Sequence, residues 1–512
     1  MLKNVASNLG NYLYSVLSSL LLAPFILRQL GEARYGVWAL VGEVLTYYGL
    51  LDFGIRTALN YFVGRALARR ETEALKGYTS SAFFALAGVA VVCFLVSSAA
   101  LFLLRDTINV PYLDRKEVLV SSAIFLGIFC ASLPLETYPA ILVGRQKLYL
   151  VNGVEVGARM AAMILMFILL SQYPSLLTIC ASSFVVRSVA YAGWAVAVRQ
   201  IVPEASLSPR LSSRRCLREL VAYGSQTALI NLSWLLITRK DATLITVFLG
   251  ARRVPIYHFA RLVVENITQA CRAITEALRP TLIYQWAKGE QGRVYDIYYA
   301  GARYTTFVGA MLAAFFFAFG GDFLRLWIGE RYVSGPAYFR SDLVLVILLA
   351  ANLPRWMHNI SWQLLFATNR QQALTWLIIC ESLTNIGLSI VLVRPYGVLG
   401  IALGTLIPML VSHLLLLPWM MRRLVGISLR RFVRDGVGRP LLAAAAVFAA
   451  CVVVRSAFPP AGWALFIVEG AGLGLLALLV GMVFVARAEE RARGWQAVAN
   501  WLARARRSPS AR

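Results

Sequence analysis

Long apolar stretches alternate with short polar connections along the whole chain. A helix of about 20 residues crosses a hydrocarbon slab of about 30 Å, so each stretch of that length predicts a membrane span. The first six predicted spans are Asn8–Leu27, Tyr35–Val63, Thr79–Leu104, Val118–Val143, Tyr149–Leu170 and Leu176–Val198. Six more follow at Leu220–Leu249, Val254–Trp286, Ile297–Phe319, Leu343–Phe366, Ala373–Val393 and Val398–Met421, and Pro440–Phe458 and Trp463–Ala486 complete fourteen. The expected fold class is therefore an all-α polytopic membrane protein.

The connection Arg199–Glu219 holds Pro203, Pro209 and a Ser/Arg run, which makes it a natural boundary between halves. Leu30-Gly31 and Leu249-Gly250 mark a tight turn near the start of each half. Two related halves around a central cavity are a common transporter plan. The expected organisation is an N-terminal lobe of helices 1–6 (residues 1–205), a C-terminal lobe of helices 7–12 (206–425), two appended helices (426–486) and a basic tail (487–512). The longest connections, Arg199–Glu219 and Gly321–Asp342, leave no room for a soluble catalytic domain, so no catalytic residues and no enzyme activity are expected.

Composition strengthens the membrane reading. The chain has 512 residues, is 59% hydrophobic and 15% charged, against about 25% charged in soluble domains, and its mean hydropathy is +0.67. The net charge of +25 would suit nucleic acid, yet Lys and Arg concentrate in short loops, where they act as topology signals. An inside N-terminus gives the cytoplasmic face over twice the basic residues of the outer face, including Arg65, Arg69, Arg70, Arg214, Arg215, Arg422, Arg423, Arg430, Arg431 and the tail. Both termini are then expected in the cytoplasm, with the basic loops meeting anionic lipid headgroups rather than nucleic acid. Lys3, Asn8, Asn11 and Ser15 interrupt the first apolar run, which reads as a retained helix. Six of the seven cysteines lie in apolar segments, and His258, His358 and His413 are scattered, so no metal site is expected.

Ionisable side chains inside spans cost about 2.5 to 3.5 kcal/mol each and normally face a bundle interior or a watery cavity. Asp52 and Arg56, and Glu155 and Arg159, stand at i,i+4 spacing. In the eighth span Arg261, Glu265, Thr268, Gln269, Arg272, Glu276 and Arg279 follow steps of three and four, forming one polar stripe. The seventh contributes Arg239, Lys240 and Asp241, while Arg187, Arg303 and Arg355 stand in other spans without a partner at helical spacing. Arginine's planar fork matches two phosphate oxygens at once and stays charged when partly buried. The substrate-binding candidates are therefore Arg56, Arg187, Arg239, Lys240, Arg261, Gln269, Arg272, Arg279, Arg303 and Arg355, and the ion-coupling candidates are Asp52, Asp241, Glu265 and Glu276. Internal ion pairs that staple helices together are the structural alternative for the same residues.

The segment Asn8–Arg69 adds a motif. Pro24-Phe25-Ile26-Leu27-Arg28-Gln29-Leu30-Gly31, then Tyr35-Gly36-Val37-Trp38, then Leu50-Leu51-Asp52-Phe53-Gly54-Ile55 resembles the Wzx-type polysaccharide flippases of the multidrug/oligosaccharidyl-lipid/polysaccharide exporter superfamily. The resemblance implies that an undecaprenyl-pyrophosphate-linked oligosaccharide crosses the bacterial inner membrane, by alternating access in a V-shaped cavity, for surface polysaccharide, O-antigen, lipopolysaccharide or exopolysaccharide synthesis. It further implies a proton or sodium gradient rather than a cofactor, and partners among membrane lipids and the polymerase or glycosyltransferases of the pathway. A drug/cation antiporter of the same superfamily and a non-transporting scaffold of a glycan-assembly complex are the competing readings.

Overall fold

The computed structural model describes residues 2–48, 52–104, 115–145, 147–205, 207–225, 240–368 and 370–485. The chain divides into two compact units, Met1–His258 and Phe259–Arg512. Among the described residues nine helical stretches are long and apolar enough to cross a membrane. Their outer faces carry Val92, Leu95, Ile164, Val189, Val468 and Leu479, all more than half exposed, a pattern that suits lipid and not water. The protein is a multi-pass membrane protein.

The first unit opens with α1 (Leu2–Tyr48), which bends sharply at Gly31, where φ is 76° and ψ 171°. That backbone conformation is essentially confined to glycine, so Leu30-Gly31 separates the first two predicted spans. The second span differs from the expectation: residues 52–54 form a turn, from which α2 (Ile55–Arg69) starts. Asp52 interrupts it, because its Oδ1 accepts from the Gly54 N–H at 2.8 Å while Phe53 takes a φ of 48°. This local turn competes with the helix, as short acidic side chains commonly do.

α3 (Thr72–Leu104), α4 (Arg115–Leu135), α5 (Thr137–Gly144), α6 (Leu148–Gln172) and α7 (Leu176–Ile201) follow. The predicted fourth span is split at Glu136, three residues ahead of Pro139, which lacks the N–H that would bond the Leu135 carbonyl and continue the ladder. The core of the unit joins Leu59 and Phe62 of α2, Leu75 and Leu86 of α3, Ile141 of α5 and Trp194 of α7. The linker docks on α3: the Ser208 N–H donates to Ser80 Oγ at 3.2 Å and the Ser213 N–H to Ser81 Oγ at 2.9 Å. It continues into α8 (residues 214–225). α9 (Asp241–Leu249) ends at Gly250, whose φ of 86° and ψ of 151° repeat the geometry of Gly31. The two Leu-Gly turns of the sequence are thus alike in backbone.

α10 (Val254–Ala287) runs into the second unit. One face buries Val263, Val264, Ile267, Cys271 and Leu282; the charged stripe occupies the other, which keeps this long helix out of the apolar set. α11 (Gln291–Ile328) is the buried centre and packs against α12 (Ser341–Met357). α13 (Asn359–Ala367) continues α12 after a break at His358, four residues past Pro354. α14 (Gln371–Val411) is a hairpin, turned at Gly397 with φ 55°. Its arms touch through backbone: a Cβ on Gly400 would lie 2.0 Å from the Leu392 carbonyl oxygen, and one on Gly404 would lie 2.4 Å from Ser389 Oγ. Small residues at such steps let membrane helices approach closely.

A π-helical turn, Ser412–Leu416, joins α14 to α15 (Leu417–Val425). The chain then runs through α16 (Leu429–Arg431) and a second π-helical segment, Phe432–Gly438, into α17 (Arg439–Ala457) and α18 (Trp463–Val480). α17 packs along α11, so the last two helices belong to the second unit.

Candidate functional site

In the first unit the break before α2 and the break between α4 and α5 bring Asp52, Arg56 and Glu136 together. Arg56 lies 3.7 Å from Asp52 and 3.3 Å from Glu136. Tyr191 of α7 donates its hydroxyl to the other Glu136 oxygen at 2.8 Å. Ser132, Leu86, Phe129 and Leu133 complete a cavity of about 70 Å³ lined by these three charged groups. Two carboxylates thus share one guanidinium, and the cluster has room for water or a cation beside Arg56. Glu136 was not among the sequence candidates; the signal was an acidic residue inside an otherwise apolar predicted span.

Arg187 has a partner after all, on the neighbouring helix: Glu155 of α6 holds Arg159 at 2.8 Å and Arg187 at 3.6 Å. Lys240 and Asp241 form an ion pair of 2.8 Å, each about 6% exposed. Nearby, Glu43 accepts from the Ala242 and Thr243 N–H groups at 3.2 and 3.3 Å, capping the start of α9. Asp241 and Lys240 therefore sit at a helix start that a third charged residue ties down. Arg239 lies outside the described residues.

In the second unit the α10 stripe is open along its length: Arg272 pairs with Glu276 at 3.4 Å, and both side chains are nearly half exposed. Arg261, Glu265 and Gln269 occupy the same face at intermediate burial. Arg279 donates to Gln363 Oε1 and stands 5.5 Å from the Phe366 ring centre. Trp356 holds Thr268 through a 2.9 Å hydrogen bond from its indole N–H. Arg355 of α12 lies within electrostatic reach of Glu381 of α14 and of Arg272 and Glu265 of the stripe. Arg303 is 2% exposed within α11, its guanidinium 5.2 Å from the Tyr304 ring centre.

Two further groups lie behind Arg355. Glu381 and His413 approach to 3.6 Å, both less than 5% exposed in their side chains. Neither was a sequence candidate, since periodicity within one helix cannot pair residues 32 positions apart. Among the described residues no three His, Cys, Asp or Glu side chains are grouped to hold a metal ion.

The fold matches solved transporters. The lipid II flippase MurJ in an inward closed conformation superposes with a TM-score of 0.70 at 11% identity, over 94% of this chain and 99% of that one. An inward-facing multidrug resistance MATE family transporter of the MOP superfamily gives 0.67 at 13% identity, over 81% and 95%. The transporter of that superfamily from Pyrococcus furiosus Vc1, whose binding pocket has reversed polarity, gives 0.59 at 14% identity, over 83% and 95%. By sequence, the membrane protein EpsK of Bacillus subtilis (strain 168) is 22% identical over 502 residues, covering 95% of this chain and 96% of its own. Residues 25–335 match the polysaccharide biosynthesis protein family. With the match spanning more than half of the chain and starting within the Pro24–Gly31 motif, the protein belongs to the polysaccharide biosynthesis protein family.

Proposed function

We propose that this protein is a flippase that carries a pyrophosphate-linked lipid oligosaccharide across the bacterial cytoplasmic membrane, with both termini in the cytoplasm, by gradient-driven alternating access. The observation that carries the reading is the α10 face, on which Arg261, Arg272 and Arg279 stand half-open within a membrane protein of a polysaccharide family. A neutral glycan needs no such face. A pyrophosphate does, because its charge must leave water and find donors, and guanidinium groups supply paired donors without losing their own charge. Arg261 and Arg272 are eleven residues apart, about three turns and about 16 Å along the helix, so one can receive a phosphate that the other releases. Cationic drugs would favour an excess of carboxylates instead. The likeness to a lipid II flippase over nearly the full chain supports a lipid-linked substrate.

Deletion of the gene tests the proposal. Surface polysaccharide should be lost and its lipid-linked precursor should stay inaccessible to an impermeant reagent added outside, whereas wild-type surface polysaccharide in the deletion strain refutes the reading. Among complementing variants, Arg272→Lys should lower export partly and Arg272→Ala by about tenfold or more at normal abundance, since a charged hydrogen bond is worth about 1.5 to 3 kcal/mol. If Arg272 only staples α10 through Glu276, Arg272→Ala lowers abundance instead, and adding Glu276→Ala restores it.

A further inference from the structure

The α14 hairpin carries a polar ladder between its arms. Thr405 and Ser389 both direct their hydroxyls to Asn385 Oδ1, at 3.5 and 3.1 Å. One step further from the Gly397 turn, Glu381 meets His413. Both stand sixteen residues from the turn, and Glu381 is ten residues from the other end of α14, about 15 Å at 1.5 Å per residue. That is close to the middle of a slab of about 30 Å. The helix opens into its π-helical turn at this point, Ser412–Leu416, a distortion that recurs at functional positions in helices.

The histidine's two nitrogens are placed differently. Nδ1 lies 3.2 Å from the Met409 carbonyl oxygen and 3.6 Å from Glu381 Oε2. A carbonyl oxygen can accept but not donate, so Nδ1 carries hydrogen and Nε2 holds the lone pair. Nε2 is fully buried and has no hydrogen-bond partner among the described residues. A basic nitrogen left open at mid-membrane depth beside a carboxylate is costly unless something visits it. The charged and titratable groups that act on the pair are Arg355 from α12 and His358 at the start of α13, and Arg355 in turn feels Arg272 and Glu265 from α10.

We propose that Glu381 and His413 form a proton-binding site, in which one exchangeable proton is taken up by the pair and released again during the transport cycle. In the empty state Glu381 is a carboxylate facing Arg355, and His413 is neutral. Uptake adds one proton to Nε2, giving an imidazolium whose charge Glu381 balances, or the equivalent carboxylic acid beside neutral imidazole. In either form the pair presents no net negative charge to Arg355. Arg355 is then available to an anionic headgroup alongside Arg272, and loss of the proton draws it back to Glu381. This coupling of proton and phosphate rests on the flippase reading; the proton site itself does not.

The purified full-length protein in lipid nanodiscs, titrated with pH and followed by infrared difference spectroscopy, tests the site without any glycan. The wild type should show a carboxyl band and an imidazole band that change together. Glu381→Gln should abolish the carboxyl component, and His413→Gln should move it by about one pH unit or more. Glu381→Asp should retain a titrating band, which guards against a folding artefact. Spectra unchanged in both Glu381→Gln and His413→Gln overturn the proposal. In cells, His413→Gln should make surface polysaccharide insensitive to external pH. A variant with the same pH response as wild type overturns the coupling. Spectra as expected with no polysaccharide defect on gene deletion would refute the flippase reading and leave the proton site standing.

Discussion

At the scale of single residues, charge patterns read from the sequence found several of the clustered groups but could not say what each holds. Asp52 was expected to serve coupling through Arg56. Its carboxylate also closes the turn before α2 by accepting from Gly54. An amide oxygen can keep that hydrogen bond while losing the charge, so Asp52→Asn should insert at normal abundance and lose the pH dependence of export. Asp52→Ala should also lower thermal stability, by about 1 kcal/mol for the lost turn bond. Full export by Asp52→Asn across a range of external pH would remove Asp52 from coupling. Glu219 offers a second test, outside the spans. The Tyr78 hydroxyl, and then Arg215, hold its carboxyl below the ordinary carboxylate range. Because the folded value is depressed, this contribution is present above the unfolded value of about 4.3 and is lost as pH falls through the folded one. Protection of residues 207–213 against hydrogen exchange, relative to the intrinsic rate at each pH, should therefore fall in acid, and Tyr78→Phe should shift that fall to higher pH. An identical profile in Tyr78→Phe would show that the bond does not secure the linker.

At the scale of elements, apolar length located the helices and local turn chemistry decided where they break. Asp52, Glu136 and His358 each interrupt a stretch whose hydropathy reads as continuous. Window averages cannot register such breaks, because one hydrogen-bonding side chain or one proline changes the backbone without changing the mean. The Leu-Gly echo, by contrast, was legible, and the matching dihedrals of Gly31 and Gly250 give it a physical basis. Among the described residues nothing lies within 4 Å of a Cβ at either position, so substitution should cost backbone strain alone. Gly31→Ala and Gly250→Ala should each destabilise the detergent-solubilised protein by about 1 to 3 kcal/mol, seen as a lower melting temperature in fluorescence-detected size exclusion. Unchanged melting in both would show that the turns relax freely. The α14 hairpin was invisible as a contact, since two spans separated by Gly397 read the same whether or not their glycines interlock.

At the scale of the whole molecule, loop charge predicts an orientation that labelling can test. Ser213 is half-buried in the linker and uses its backbone N–H, not its side chain, to hold Ser81, so Ser213→Cys should be tolerated. Native Cys216 is less suitable, because burial pushes its thiol up and slows reaction. An impermeant maleimide should label Ser213→Cys in inside-out vesicles and not in intact cells; the reverse would invert the topology. The sequence alone determined that the chain is a helical membrane protein, because an apolar stretch of span length has few other stable solutions. It also placed the charged stripe on one side of α10, because helical periodicity is a property of neighbours along the chain. The tertiary structure decided the rest: which carboxylate engages Arg56, which helix supplies the partner of Arg187, and how Glu381 comes to face His413. Those pairings depend on where helices bend and how closely their backbones approach, and contacts between residues distant in sequence leave no periodic trace in the chain that makes them.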